Sequence, residues 1–487
     1  MAQESTLLIL DGLEHLQYPA GPMHGQLKDQ GLQALLKQLA RNTNGLCLIT
    51  TRERVSDLDT FENSSLKRID LENLNCDDGA RLLDALGVQG THKELCEAVE
   101  DFDGHALALN LLEKDQPDTL EEMEPLFAAV AHGCQAQLIQ QTFDDIYWKR
   151  ILRESSYYLV KQLGAFGSLI STLSNFLKNP WDNISNDLKD AAKAVALNQA
   201  GFALRAVGRL REATEPMQAG ENMRLEQQNW KGAAIQAGNL SELWLTLGEV
   251  ENAVATSRRS AEYADKSGDA FQRYARRTTL ADALHHTGDR DAARLQFEQA
   301  ESLKQQSQPA YKFLYSVSGY RYCDLLLGLG RAGEVLERAK EMRQVAIDNN
   351  SSLLTFALVD LAVGRAHAHL GERAAARTHL DRAVAGLRQS GQQQEMPRGL
   401  LARAAFFRTT QDFDKAETDL FEAQEIAERG EMNLYLADIH LEWCRLRLAQ
   451  GDPDQARECF QQAATQVRDM GYGRREAEVE ELRQTLE

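Results

Sequence analysis

Among 487 residues, 73 Asp and Glu stand against 54 Lys and Arg, a net charge of −19. A field of that sign repels phosphate backbones and anionic lipid, which excludes nucleic acid and membrane surfaces as partners. The chain has only 9 prolines, no apolar run of membrane-span length, and seven cysteines without a CxxC pair or a Cys/His metal spacing; together these point to a helix-rich protein of a reducing, cytoplasmic compartment.

At the front, "TLLIL" and "GLCLITT" are short aliphatic runs bounded by turn residues, and "GQLKDQGLQALLKQLARN" between them repeats leucine at helical spacing. Strand, helix and strand in that order make the unit of a parallel sheet. "SLKRIDLENL" predicts a further strand. "DDGARLLDAL" and "KELCEAVEDFDGHALALNLL" predict helices, the first capped by Asp77 or Asp78. Three motifs here carry residue types suited to nucleotide chemistry. Asp11 ends the first strand, where an acid can hold Mg²⁺, and Glu14 can orient a water. Thr51 and Arg52 end the neighbouring strand, where an arginine can sense a γ-phosphate. Gly104 opens "GHALAL". The phosphate-cradling pattern Gly-x-x-x-x-Gly-Lys-[Ser/Thr] does not occur in the sequence.

Residues 111–190 show apolar side chains at helical spacing, broken at "NPWDNI". Two or three helices are expected, joining the front to the C-terminal two-thirds of the chain and covering its first apolar face.

From about residue 190 the chain repeats itself. Short turns read "GRLREA" at Gly208, "GEVENA" at Gly248, "GDRDAA" at Gly288, "GRAGEV" at Gly330, "GERAAA" at Gly371, "QDFDKA" at Gln411 and "GDPDQA" at Gly451, spaced by 40, 40, 42, 41, 40 and 40 residues. Seven residues before each turn sits a small residue: Gly201, Ser241, Ala281, Cys323, Gly364, Ala404 and Cys444. Five residues after each turn begins comes Ala213, Ala253, Ala293, Val335, Ala376, Ala416 or Ala456. Two helices that cross closely need one small residue each at the contact, and a glycine permits the tight turn between them.

This pattern resembles the tetratricopeptide repeat (TPR), with a period of about 40 residues in place of the usual 34. The resemblance implies an α-solenoid of about seven helix pairs whose concave face takes a protein or peptide ligand. In that family the residue after the small one points inward, here Phe202, Glu242, Asp282, Asp324, Arg365, Ala405 and Arg445. Three residues further on come Arg205, Leu245, His285, Leu327, Ala368, Arg408 and Leu448. The middle repeats present acids and the last three present arginines, so a two-signed groove is expected to hold a partner segment in one direction.

With "LLILDGLE", "LITTRERV" and "GHALAL" ahead of such an array, the order of parts is similar to that of STAND-class ATPases of the NACHT and NB-ARC kind. The resemblance implies Asp11 as the Walker B metal acid, Glu14 as the water-orienting acid, and Arg52, with Thr51, as the sensor after the second strand. Gly104 to Leu109 would match the stretch near the adenine, although Ala106 stands where the family has proline. The family's P-loop and winged helix are not recognised in this sequence. The expected layout is therefore a mainly α chain. It comprises a partial parallel-sheet α/β segment at 1–75, a helical subdomain remnant at 76–115, a helical linker at 116–190 and a TPR solenoid at 191–487. Its expected role is a protein-interaction or ligand-sensing scaffold with possible self-association and no cofactor of its own. The alternative is the C-terminal portion of an active ATPase, binding ATP and Mg²⁺ at a site completed upstream or in trans.

Overall fold

The structure, a computed structural model, describes residues 7–17, 25–41, 45–51, 54–62, 64–102, 104–106, 109, 117–178, 181 and 183–487. Arg52, the side chain of Glu14, and Leu107 and Ala108 of "GHALAL" lie outside the described residues. The chain forms two compact units, Met1–Leu109 and Asn110–Glu487.

The front unit contains β1 (Leu7–Leu10), α1 (Gln30–Arg41) and β2 (Leu46–Ile49). The strands pair in parallel, with Leu7 opposite Leu46 and Leu10 opposite Ile49. Alternation then sends Leu10, Cys47 and Ile49 toward a small cluster around Leu13, Leu27, Leu36 and Leu58. On the other face Leu7, Ile9, Leu46 and Leu48 are exposed. The strand expected in "SLKRIDLENL" does not form, and the sheet has two strands among the described residues. Its ends bond elsewhere, Leu66 N–H donating to the Phe61 carbonyl and Leu74 N–H to the Gly104 carbonyl, and its apolar residues Ile69 and Leu71 stay in solvent.

Next come α2 (Cys76–Ala85) and α3 (His92–Asp101). The cap of α2 is Asn75, whose side chain accepts from the Asp78 N–H, rather than Asp77 or Asp78. The two acids occupy the first turn, where the helix dipole favours them. Thr91 and Glu94 form a capping box on α3. Ala80, Leu83, Leu95 and Val99 of the hairpin are buried in one cluster with Leu109. Cys76 and Cys96 are joined as a disulfide, with Cα atoms 5.0 Å apart. Sequence spacing misses this pair because 20 residues and a hairpin turn separate the two cysteines. Gly104 has φ +64, and a Cβ there would lie 1.9 Å from the Leu74 carbonyl oxygen; that close approach requires glycine.

The second unit opens with α4 (Leu120–Gln135), a π-helical stretch Phe143–Ile151 and α5 (Phe166–Leu173). Phe143, Tyr147, Phe166, Leu169 and Leu173 of these elements pack with Ala196, Leu197, Ala200 and Ala203 of the first array helix, covering its outer apolar face. The array continues as antiparallel pairs: α6 (Asp190–Ala206) with α7 (Leu210–Glu226), α8 (Trp230–Thr246) with α9 (Val250–Ser267), and α10 (Ala270–His286) with α11 (Arg290–Ser307). Then come α12 (Ser316–Gly328) with α13 (Ala332–Asp348), α14 (Leu353–His369) with α15 (Arg373–Gln389), α16 (Met396–Thr409) with α17 (Phe413–Arg429), and α18 (Asn433–Gln450) with α19 (Pro453–Met470). A last helix, α20 (Glu476–Leu486), ends the chain. The fold is thus a TPR-type solenoid of seven helix pairs, as the repeat spacing implies.

The repeat residues do what their spacing requires. Ala213, Ala253, Ala293, Val335, Ala376, Ala416 and Ala456 are all 0% exposed. A Cβ on Gly201 would meet the Met217 side chain at 2.5 Å, and one on Gly364 would meet Leu380 at 2.9 Å. The turn glycines sit at positive φ, from +74 at Gly330 to +87 at Gly288, and Gln411 takes the same left-handed conformation at +62.

The solenoid closes on itself within this unit. Leu245, Val250, Ala253 and Ala283 of the second and third pairs pack with Leu434, Ala437, Leu441 and Tyr472 of the last turn of the superhelix. Asn433 Nδ2 donates to the Leu247 carbonyl at 2.9 Å, Tyr472 stacks on His286 at 5.5 Å, and Arg474 pairs with Asp324 at 2.7 Å. No helix among the described residues is long and apolar enough to cross a membrane.

Candidate functional site

The first helices of the pairs all present one face to the inside of the superhelix, and closure turns that face into the wall of a cavity of ≈ 580 Å³. Six of the seven residues expected to point inward line it: Glu242, Asp282, Asp324, Arg365, Ala405 and Arg445. From the second predicted row Arg205, Leu245, Ala368 and Arg408 do so as well. Phe202 instead packs against Phe166 of α5, ring centroids 5.8 Å apart. His285 is buried beside Asp324, 3.9 Å away.

The two signs expected in separate repeats are interleaved by the superhelical turn. Arg205 pairs with Glu242 at 2.8 Å, and Arg321 bridges Glu242 at 2.6 Å and Asp282 at 3.2 Å. Asp324 receives Arg365 at 2.6 Å and Arg474 at 2.7 Å. Glu442 receives Arg408 at 2.6 Å and Arg445 at 3.5 Å. Glu478 takes both Arg475 and Arg445, and Arg475 also holds Asp438 at 2.7 Å. Each acid therefore touches at least one guanidinium, the arrangement that lets ions stay charged when withdrawn from water.

Protonation follows from the same geometry. Burial raises the Glu242 carboxyl, but Arg321, Arg205 and Arg276 outweigh it and hold it below the usual range. Asp324 is likewise pushed up by burial and pulled well below its ordinary value by Arg474 and Arg365. At Glu478 burial opposes Arg475 and Arg445, and the balance lowers the carboxyl to about 2. Burial, then Arg474, drives His285 well below the normal imidazole value, and burial lowers His286 and His369 too. The histidines near the cavity stay neutral.

Eight arginines and seven carboxylates line the cavity, so its wall keeps a positive excess inside a chain of net charge −19. Among the lining arginines, Arg398 sits beside two aromatic rings. Its guanidinium lies 5.0 Å from the Tyr320 ring centroid and 6.0 Å from that of Tyr435. It pairs with Glu395 at 3.1 Å, at an angle that leaves its Nε–H without a hydrogen-bond partner. Arg205 Nε is unpartnered too. A cation beside two aromatic rings, with its Nε–H unpartnered, suits a carboxylate or another compact anion.

Sequence reasoning missed Tyr320, Arg321, Arg398, Tyr435, Arg474 and Arg475. A signal existed for Arg321 and Arg398, which precede Asp324 and Ala405 by one and two helical turns on the same face. Arg474 and Arg475 arrive from the segment after the last pair, and only closure brings them in.

In the front unit Asp11 lies just past β1, exposed, and its carboxylate accepts from the Thr50 hydroxyl. The Gly12 N–H donates to the same hydroxyl oxygen at 3.0 Å. Thr51 turns away, donating to Gln17 Oε1 at 2.7 Å. The structure thus brings Asp11 beside the end of the neighbouring strand and uses Gly104 for backbone packing.

No family model matches the chain, and no curated protein matches it. Among solved structures, the chain is similar to a signal transduction ATPase with numerous domains (STAND) protein with a tetratricopeptide repeat sensor from Pyrococcus horikoshii. That likeness has 15% identity, covers 99% of this chain and 83% of that one, and has a TM-score of 0.35. It is similar to a Rap protein complexed with competence and sporulation factor, at 13% identity over 84% of this chain and 99% of that one, TM-score 0.34. It is also similar to the APC/C hetero-tetramer Cut9–Hcn1, at 14% identity over 85% and 87% of the two chains, TM-score 0.38. These are likenesses of helical-repeat architecture.

Proposed function

We propose that this chain is a TPR-type binding scaffold whose closed inner face receives the acidic end or acidic side chains of a protein or peptide ligand. The observation that carries the reading is Arg398, held between Tyr320 and Tyr435 on the wall of a cavity with more arginines than acids. A volume of ≈ 580 Å³ lies in the range of small-ligand sites, ~300–1,000 Å³. It suits a few extended residues better than a whole helix ~10 Å across. The partner groove of the sequence reading becomes a receptor for a short anionic segment. Titration of the full chain with an acetylated tetraglutamate peptide tests it. We expect saturable 1:1 binding, weakened more than tenfold by Arg398→Ala, and no binding of tetralysine. Tetraglutamate binding that survives Arg398→Ala unchanged contradicts the proposal.

A second reading rests on the front unit. The parallel register of β1 and β2 and the Thr50–Asp11 hydrogen bond support Asp11 as a Mg²⁺ acid of a STAND-like ATPase whose phosphate loop is supplied upstream or in trans. Equilibrium binding of Mg·ATP to the full chain, with and without Asp11→Ala, separates this reading from a scaffold without nucleotide. Micromolar affinity lost in the variant supports it.

A further inference from the structure

The side chains of Cys76, Asp77, His92 and Cys96 converge where the start of α2 meets the first half of α3, with one ligand atom from each lying within 4.8 Å of all the others. We propose that, with the cysteines as thiols, these four residues form a Zn²⁺ site that clips the hairpin together.

The geometry is that of two helix beginnings facing each other. Cys76 and Asp77 are the first two residues of α2, and His92 and Cys96 lie one turn apart on α3. His92 Nε2 is 3.2 Å from Asp77 Oδ1 and 3.6 Å from Cys96 Sγ. Ligands around a tetrahedral zinc with bonds of ~2.0–2.3 Å stand ~3.3–3.8 Å apart. Two sulfurs, one imidazole and one carboxylate form a borderline-soft donor set, which selects Zn²⁺ over Mg²⁺ or Ca²⁺. Cys76 is the first residue of α2, where the dipole favours thiolate over thiol.

A disulfide accounts for only half of this cluster. It uses Cys76 and Cys96 and leaves His92 and Asp77 meeting beside the sulfurs, although their side chains are 68% and 73% exposed. An exposed His–Asp pair contributes little stability by itself. Among the described residues the core of this region is small, centred on Ala80, Leu83, Leu95 and Val99 of the hairpin, and small helical units of that kind are commonly held by a metal or a cross-link. Binding takes up one Zn²⁺, forms two Zn–S bonds, and releases the two thiol protons to solvent.

The test uses the full chain, treated with a phosphine reductant, stripped of metal and titrated with Zn²⁺ against a chromophoric chelator. Co²⁺ serves as a spectroscopic stand-in. The expected result is one equivalent of tightly held metal, with thiolate-to-cobalt charge transfer and tetrahedral d–d bands. His92→Ala, Asp77→Asn and Cys96→Ser should each weaken binding more than tenfold. His92 and Asp77 are surface residues, so their variants keep the fold. Reduced chain that takes up no metal overturns the proposal. So does metal binding left unchanged in the His92 and Asp77 variants, which would place the metal elsewhere. A Cys76–Cys96 disulfide that persists through reduction overturns it as well.

Discussion

In the array, a forty-residue period places Ala253, Ala293 and Ala416 at 0% exposure. In the front unit the same kind of pattern, a two-residue alternation, leaves Leu7 at 60% and Leu46 at 65% exposure on one face of the sheet. The difference lies in redundancy. Each helix pair of the solenoid buries its faces against the pairs on either side, and closure supplies the last neighbour, so local and long-range packing agree. The two-stranded sheet has α1 and a small cluster on one face, and its would-be third strand forms no ladder with it among the described residues. Electrostatics divide the same way. The array's acids and arginines are withdrawn from water and mutually paired, while front-unit pairs such as Arg68 with Asp70 sit in solvent.

The comparison is most sharply tested where packing is densest. Phe297 is fully buried and stacks on Tyr322 with centroids 4.7 Å apart. Phe297→Ala is expected to cost about 3–5 kcal/mol in chemical denaturation. Next comes the closing ion pair. Arg474→Ala leaves Asp324 short of one guanidinium in a buried setting and is expected to cost about 3 kcal/mol. Arg68→Ala in the front unit should change stability by less than about 0.5 kcal/mol. If both arginine variants cost the same, the contrast between buried and solvated pairs is wrong.

Acid supplies a graded version of that contrast. Glu242, Asp324 and Glu478 have lowered carboxyl values in the folded state. His285 and His286 are held neutral by values below the ordinary imidazole. In both cases the unfolded chain binds more protons than the folded one, so stability rises with pH. The histidine contribution is present above the unfolded imidazole value and fades as pH falls below ~6.5. The carboxylate contribution is present above ~4.5 and is lost toward the value of about 2 at Glu478. Thermal melts from pH 8 to pH 3 should show the solenoid transition level down to about pH 7 and then falling continuously to pH 3. A flat profile from pH 8 to pH 5 contradicts the histidine part. The smallest expected effect is a gain. Gln411 takes a left-handed conformation that the other six turns give to glycine. Gln411→Gly should stabilise the array by up to about 1 kcal/mol, read as a raised denaturation midpoint.

How far each region could be read in the sequence depends on the same physics. Helix pairs, turn positions and the small-residue contacts were legible, because the period repeats seven times and one error would break it. The parallel pairing of β1 with β2 was legible from strand, helix and strand in sequence. The inward row was legible as a face, and six of its seven positions line the cavity. Its closure was not, since the contacts of Arg474 with Asp324 and of Asn433 with Leu247 join segments 150 and 186 residues apart, and no spacing rule reaches that far. Nor was the meeting of Cys76 with Cys96, which depends on the register of two short helices around one turn. The cap at Asn75 was missed by two or three residues, because Asp77 and Asp78 offer the same chemistry to the same turn.

The claim that joins these observations is that closure converts a two-signed face into a receptor for an anionic segment, with Arg398 on its wall. Panning a random displayed peptide library over the full chain, in parallel with its Arg398→Ala variant, measures that claim most directly. The account predicts sequences rich in Asp and Glu, or ending in a free carboxylate, enriched on the parent and absent from the variant. Enrichment of basic or apolar sequences, or the same sequences from both proteins, would contradict it.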